Sequence, residues 1–217
     1  MNQQFEELLK QHDEDGNRFG KQLAKLAFEN NAKVIVETGY GVSTLFLLAG
    51  THHECKVYSI DPAPWATFRI DNPRSELILE RSTDAMAALY KRTGPWDIFL
   101  HDSNHDIKCM TYELSLAYAL LRPGGYICCD DYTWGGHKAW DKFVAEEGLV
   151  QQVMGSIMIA RKPFSGAHPI SPDSRVGVDA YAKACLEDAE TAEAEWLAAG
   201  NKNSDITWDN KKGVKGE

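Results

Sequence analysis

Three aspartates and a histidine in the middle of this 217-residue chain are the side chains best suited to do chemistry together. Asp102 follows the run Trp96-Asp-Ile-Phe-Leu-His101, and Asp130-Asp131 follows Tyr126-Ile-Cys-Cys129. Both runs read as strands, so three carboxylates gather at two neighbouring strand ends. Anions crowded in this way repel unless a cation neutralises them. All-oxygen ligation suits a hard ion such as Mg²⁺, which also keeps several waters. The plainer alternative has Asp131 capping the next turn and Asp130 facing solvent. His105 lies three residues beyond Asp102, and an ordinary imidazole pKa of about 6.5 suits proton removal at neutral pH. A divalent ion beside it would acidify a bound hydroxyl and keep the ring neutral. Its structural alternative is a helix-start histidine satisfied by a carboxylate such as Asp106.

A second constellation lies upstream in Val34-Ile-Val-Glu-Thr-Gly-Tyr-Gly-Val-Ser-Thr44. The β-branched run at its start favours a buried strand, and Leu45-Phe-Leu-Leu-Ala-Gly50 reads as helix. A strand feeding a turn with Gly39 and Gly41 and then a helix makes a cradle. Backbone N–H groups face the ligand and the missing Cβ atoms let it come close. Asp61 ends the next strand, 20 residues beyond Gly41, where a carboxylate accepts hydrogen bonds from ribose hydroxyls. The alternative is a solvated loop aspartate beside Pro62 and Pro64. Thr44 stands where a dinucleotide fingerprint needs Gly or Ala, and the lysine of a phosphate-binding loop is absent.

These residues need a scaffold that brings strand ends together. Strands are expected at Val34–Thr38, Lys56–Asp61, Glu76–Glu80, Trp96–His101 and Tyr126–Cys129. Helices are expected over about 83–91, 106–121 and 136–147. Arg122-Pro-Gly-Gly125 is expected to end the helix over 106–121, with glycine as its left-handed cap. Leu149–Met154 and Ser156–Arg161, separated by Gly155, read as an antiparallel hairpin at the sheet edge. Strands alternating with helices imply βαβ units in a mostly parallel sheet. Ligands of such sheets bind outside the carboxyl ends of the strands, near the reversal of strand order. Glu37, Gly39, Gly41, Asp61, Ser82, Asp84, Asp102, His105, Asp130 and Asp131 all fall there.

The stretch Glu37-Thr-Gly-Tyr-Gly-Val-Ser43 resembles motif I of the class I S-adenosylmethionine-dependent methyltransferases. Glu80-Arg-Ser-Thr-Asp84, Trp96–His105 and Leu121-Arg-Pro-Gly-Gly125 resemble later motifs of that family in order and spacing. The resemblance covers about residues 30–162. It implies an α/β, Rossmann-like, seven-stranded mostly parallel sheet with helices on both faces and an antiparallel C-terminal hairpin. It also implies S-adenosylmethionine as cofactor, with Glu37 toward its amino-acid end. Gly39, Gly41 and Ser43 would form the turn, Asp61 would meet the ribose, and Ser82 and Asp84 would border the adenine. The Asp102, Asp130, Asp131 set is similar to the Mg²⁺ ligands of the metal-dependent O-methyltransferases, of catechol and of sugar or macrolide type. His105 falls on their general base. The implied reaction is methyl transfer to a hydroxyl of a sugar, phenol or secondary metabolite. Trp134 and His137 would either line the acceptor pocket or pack in the loop. A noncatalytic cofactor-binding or assembly protein is the alternative of another class, and a nicotinamide oxidoreductase the weaker one, disfavoured by Thr44.

Composition sets the outer bounds. A formal net charge of −9 argues against nonspecific nucleic-acid binding. No apolar run approaches a membrane span, and the N-terminus lacks the pattern of an export signal. Cys55, Cys109, Cys128, Cys129 and Cys185 are odd in number and unpatterned, as expected of reduced packing cysteines in the cytoplasm. The adjacent pair Cys128-Cys129 should point to opposite faces of its strand. The expected organisation is an N-terminal helical segment over 1–30, a methyltransferase domain over 31–162, a linker over 163–175 and a C-terminal helix with a mobile tail over 176–217. The terminal helices are the surfaces through which a homo-oligomer would form. The partner expected of the whole is a small hydroxylated molecule.

Overall fold

The computed structural model of the chain describes residues 6–7, 10–11, 18–64, 66–130, 137–165 and 177–201. These build one seven-stranded sheet in the order β3-β2-β1-β4-β5-β7-β6. The strands are β1 (Val34–Thr38), β2 (Lys56–Ile60), β3 (Ser75–Ile78), β4 (Trp96–His101), β5 (Leu121–Cys129), β6 (Gln151–Met154) and β7 (Ile157–Arg161). The first five run parallel, and β7 pairs antiparallel with both β5 and β6. Gly155, at φ +69°, makes the tight turn of that hairpin. The helices are α1 (Arg18–Glu29), α2 (Val42–Gly50), α3 (Ser82–Thr93), α4 (Ile107–Leu120), α5 (His137–Glu146) and α6 (Gly177–Ala198).

Alternation along the strands divides the core into two layers, as a strand's period of two requires. Ile35, Val57, Ile98, Leu100 and Cys128 pack with Leu23 and Leu26 of α1 and Leu45, Leu47 and Leu48 of α2. Val36, Ile60, Phe99, Ile127 and Cys129 face the other way, against α3, α4, α5 and α6. Cys128 and Cys129 therefore lie on opposite faces, and none of the five cysteines is paired in a disulfide. Close packing of α1 on α2 depends on two glycines. A Cβ at Gly20 would sit 2.2 Å from the Phe46 ring, and one at Gly50 would sit 2.1 Å from the Ala24 carbonyl. The C-terminal helix α6 is part of the same core, burying Val178, Ala182, Cys185, Ala189 and Ala192.

One local expectation is corrected. The helix α4 does not run into a glycine cap, because Leu121 is already extended (φ −69°, ψ 139°). The strand β5 starts there, pairing Leu121 with Trp96, and resumes with Tyr126 against Ile98. Residues 122–125 bulge between those two pairs, and Gly124 at φ +76° serves the bulge rather than the helix end. Two side chains hold this arrangement. The Asp97 carboxylate accepts from the backbone of Lys33 (2.7 Å) and Val34 (2.8 Å) and pairs with Arg122. Lys162 Nζ donates to the carbonyls of Tyr118 (2.6 Å) and Leu121 (2.8 Å), satisfying the helix end that a cap would otherwise serve.

Candidate active site

The order of strands reverses between β1 and β4, and the backbone ladder continues one residue past each strand there. Gly39 N–H donates to Ile60 O (2.9 Å), Asp61 N–H to Ile78 O (3.0 Å), Asp102 N–H to Thr38 O (2.9 Å) and Asp130 N–H to His101 O (3.0 Å). The carboxyl edge of the sheet therefore carries a row, Asp61–Gly39–Asp102–Asp130, one residue per strand. At ~4.8 Å per strand the row spans about 14 Å. Asp61 lies on the cradle side of this row, and Asp102 and Asp130 are neighbours on the other.

Gly39 is required at its position on two counts. Its φ is +97°, and a Cβ there would stand 2.2 Å from the carbonyl oxygen of Asp102. The turn thus lies directly on the end of β4. Gly41 differs: it is buried, its φ of −172° is ordinary extended backbone, and a Cβ on it would meet nothing within 4 Å among the described residues. The turn at Gly41 therefore leaves room for a group to come against its backbone.

Glu37 lies beneath this space, wholly buried. Its Oε1 accepts from Ser59 Oγ (2.6 Å) and from Thr44 Oγ1, and Thr44 Oγ1 in turn accepts from Gly41 N–H (3.4 Å). Burial drives the Glu37 carboxyl up to about 7, against the downward pull of the Ser59, Thr44 and Ser43 hydroxyls. Glu37 Oε2 and the buried Ser43 Oγ have no aligned hydrogen-bond partner among the described residues. A buried acid at such a cost, with one oxygen left over, suits a cationic group arriving from outside. Sequence reasoning met Thr44 only as a departure from a dinucleotide fingerprint and did not single out Ser59. The signal for Ser59 was a hydroxyl inside an otherwise apolar buried strand.

Asp61 is half-buried. Its Oδ2 accepts from Tyr40 N–H (3.1 Å) and its Oδ1 from Ala63 N–H (2.9 Å). Burial raises its pKa, against the pull of those two N–H groups and of Arg69. Each oxygen keeps a lone pair, enough to accept a diol. Ser82 begins α3, and its hydroxyl helps hold the Glu113 carboxylate ionised. Asp84 is exposed in the first turn of the same helix.

Asp102 is half-buried, and Asp130 is buried with its Oδ1 accepting from Ser156 Oγ (2.8 Å). Asp131, Trp134 and the His137 side chain lie outside the described residues. Among the described residues no group of three or more His, Cys, Asp or Glu is placed to hold a metal ion. His105 is 4% exposed and meets the ring of His101 edge-on, with centroids 5.1 Å apart. Asp106 caps α4 through Cys109 N–H (2.6 Å) and accepts from the Asn104 side chain.

Below this loop lies a polar cluster that sequence reasoning missed. Glu113 of α4, wholly buried, accepts from Thr38 Oγ1 (2.6 Å) and Ser103 Oγ (3.0 Å) and lies 2.6 Å from His101 Nδ1. Burial alone would push its carboxyl up. The charge and hydrogen bond of His101, with the Ser82 and Thr38 hydroxyls, outweigh that and hold it below the ordinary value. The cluster joins the ends of β1 and β4, the loop with Asp102, and α4.

Residues 36–132 match the family model described as a methyltransferase domain. Solved structures share the fold. An O-methyltransferase from Bacillus cereus, in complex with S-adenosylhomocysteine (SAH), aligns with a TM-score of 0.54 at 18% identity, over 75% of this chain and 92% of its own. The fold is that of a class I methyltransferase. TomG from Streptomyces achromogenes, an O-methyltransferase of tomaymycin synthesis in complex with S-adenosylmethionine, gives 0.56 at 18% identity, over 75% and 91%. The MycE methyltransferase of mycinamycin biosynthesis, in complex with Mg and SAH, gives 0.52 at 16% identity, and the alignment spans 69% of this chain but 50% of MycE. At such identities the likeness is one of fold. No curated protein matches the chain.

Proposed function

We propose that this methyltransferase domain transfers the methyl group of S-adenosylmethionine to a hydroxyl of a small molecule, such as a sugar, phenol or secondary metabolite, with Mg²⁺ assisting. The observation that carries the reading is the pairing of the room over Gly41 with the wholly buried Glu37 carboxyl, one oxygen of which has no aligned hydrogen-bond partner among the described residues. A sulfonium donor brings an amino group and a ribose, and the chain offers an acid for each in Glu37 and Asp61.

In this reading Gly39 and Gly41 let the donor approach the backbone, Ser43 supplies a hydroxyl, and Ser82 and Asp84 border the adenine. Asp102, Asp130 and Asp131 are the set that would hold Mg²⁺, an all-oxygen set in keeping with a hard ion. Bound there, the ion would lower the pKa of an acceptor hydroxyl and orient it. His105 takes the hydroxyl proton, held in place by the His101 ring and the Glu113 cluster. Much of the acceleration in such a transfer comes from alignment of acceptor and donor. The packing of α6 into the core weighs against that helix being kept for an assembly role. The unpaired cysteines are in keeping with a reducing, cytoplasmic setting, and no helix among the described residues is long and apolar enough to cross a membrane.

The test is transfer of labelled methyl from S-adenosylmethionine to a panel of sugars, phenols and macrolide-like hydroxyls. Transfer lost with EDTA and in Asp130→Ala is expected. Full transfer in EDTA would remove the metal from the reading, and donor binding without transfer to any acceptor would favour a noncatalytic protein.

A further inference from the structure

The segment joining β2 to β3 is long enough for a helix, yet its described residues between 61 and 74 carry only turns and irregular backbone. Such a segment has few internal bonds to stabilise it and depends on what it rests against. It rests on Tyr40, the residue between the two glycines of the cradle. The Tyr40 ring is 3% exposed. Its hydroxyl accepts from Ile70 N–H at 2.7 Å, the Phe68 ring lies 6.0 Å away, and the Arg69 guanidinium sits over the Tyr40 ring at 5.7 Å. The backbone N–H of Tyr40 meanwhile donates to Asp61, the carboxylate that begins this segment.

One residue therefore belongs to two structures at once. Its backbone is part of the cradle, and its side chain carries residues 66–70. A change of backbone at the cradle must move the ring, and movement of the ring must make or break the bond to Ile70. We infer that Tyr40 is a positioning residue that couples occupancy of the donor cradle to ordering of the 66–70 segment along the Asp61 side of the site. The coupling rests on the donor reading given above. It concerns the retention of donor and product rather than the chemical step, and it is reciprocal: what orders the segment tightens the donor.

The test measures SAH binding by calorimetry, and amide exchange at Ile70 with and without SAH, in the wild type, Tyr40→Phe and Arg69→Ala. In the wild type, SAH slows exchange at Ile70 by about ten-fold. Tyr40→Phe, which removes the acceptor of the Ile70 N–H and little else, binds SAH about five-fold more weakly, the scale of one neutral hydrogen bond. In that variant SAH no longer protects Ile70. Arg69 is exposed, so Arg69→Ala keeps the fold and gives a smaller loss of protection; it decides the matter if Tyr40→Phe is poorly folded. Equal SAH affinity and equal Ile70 protection in all three proteins overturns the coupling while leaving the donor reading intact. Absence of SAH binding to the wild type overturns the donor reading itself, and the coupling with it.

Discussion

Glu37→Gln separates what Glu37 costs from what it does. Burial carries its carboxyl from 4.5 to about 7, so ionising it in the folded protein is penalised by about 3 kcal/mol at 1.36 kcal/mol per unit. Because the folded pKa lies above the unfolded one, the contribution of Glu37 to stability is fully present below pH 4.5 and is lost as pH rises through 7. Glutamine keeps an oxygen for Ser59 and Thr44 but never ionises. The stability of Glu37→Gln relative to the wild type should therefore rise by about 3 kcal/mol between pH 4.5 and pH 8. In a domain of this size that corresponds to roughly 6–12 °C of melting temperature. The assay is thermal or urea unfolding of both proteins across that range, read as the difference, which cancels the other titrating groups. Saturating SAH should shrink the difference at pH 8, because its amino group would stabilise the wild-type carboxylate. Parallel curves for the two proteins would refute the claim that Glu37 is held at a cost.

Other substitutions address other joints of the site. Gly41→Ala should leave unliganded stability within about 1 kcal/mol, since its backbone is ordinary and its Cβ has room, yet weaken SAH binding by ten-fold or more. Gly39→Ala should instead lower stability by roughly 3 kcal/mol or more, through strain at positive φ and collision with β4; chemical denaturation checks both. Glu113→Ala should cost about 3 kcal/mol at pH 7 by leaving His101 buried without its partner. Because the folded Glu113 pKa is depressed, that cost should shrink as pH falls below about 4.5, where the unfolded carboxylate takes up its proton while the folded one is still ionised. Burial lowers Lys162 to about 8, so the wild type should gain stability relative to Lys162→Met as pH rises from 8 toward 10, read by denaturation at each pH.

The alternation of strands and helices, and the placing of carboxylates at strand ends, were legible in the sequence because they rest on local pattern. Val34–Thr38 announces a buried strand by its β-branched residues, and Gly155 announces the hairpin turn. Long-range satisfaction of polar groups was not legible. Lys162 ends α4 from 41 residues away, so the glycines of 122–125 were free to serve a bulge. Thr44 counted in the sequence only as a departure from a dinucleotide pattern, whereas in the fold it joins Glu37 to the Gly41 backbone. His101 read as a strand residue and is one, but its partner Glu113 lies a helix turn beyond Cys109, and no spacing rule ties the two. Tyr40 is likewise unremarked between two glycines until residues 66–70 are seen resting on it.

The central claim is that the space above Gly41 holds an S-adenosyl donor, and calorimetric titration of SAH into the metal-free protein tests it most directly. Saturable heat at one site per chain is expected, with the affinity weakened ten-fold or more in Gly41→Ala. Absence of binding to the folded wild type, or undiminished affinity in Gly41→Ala, would contradict it.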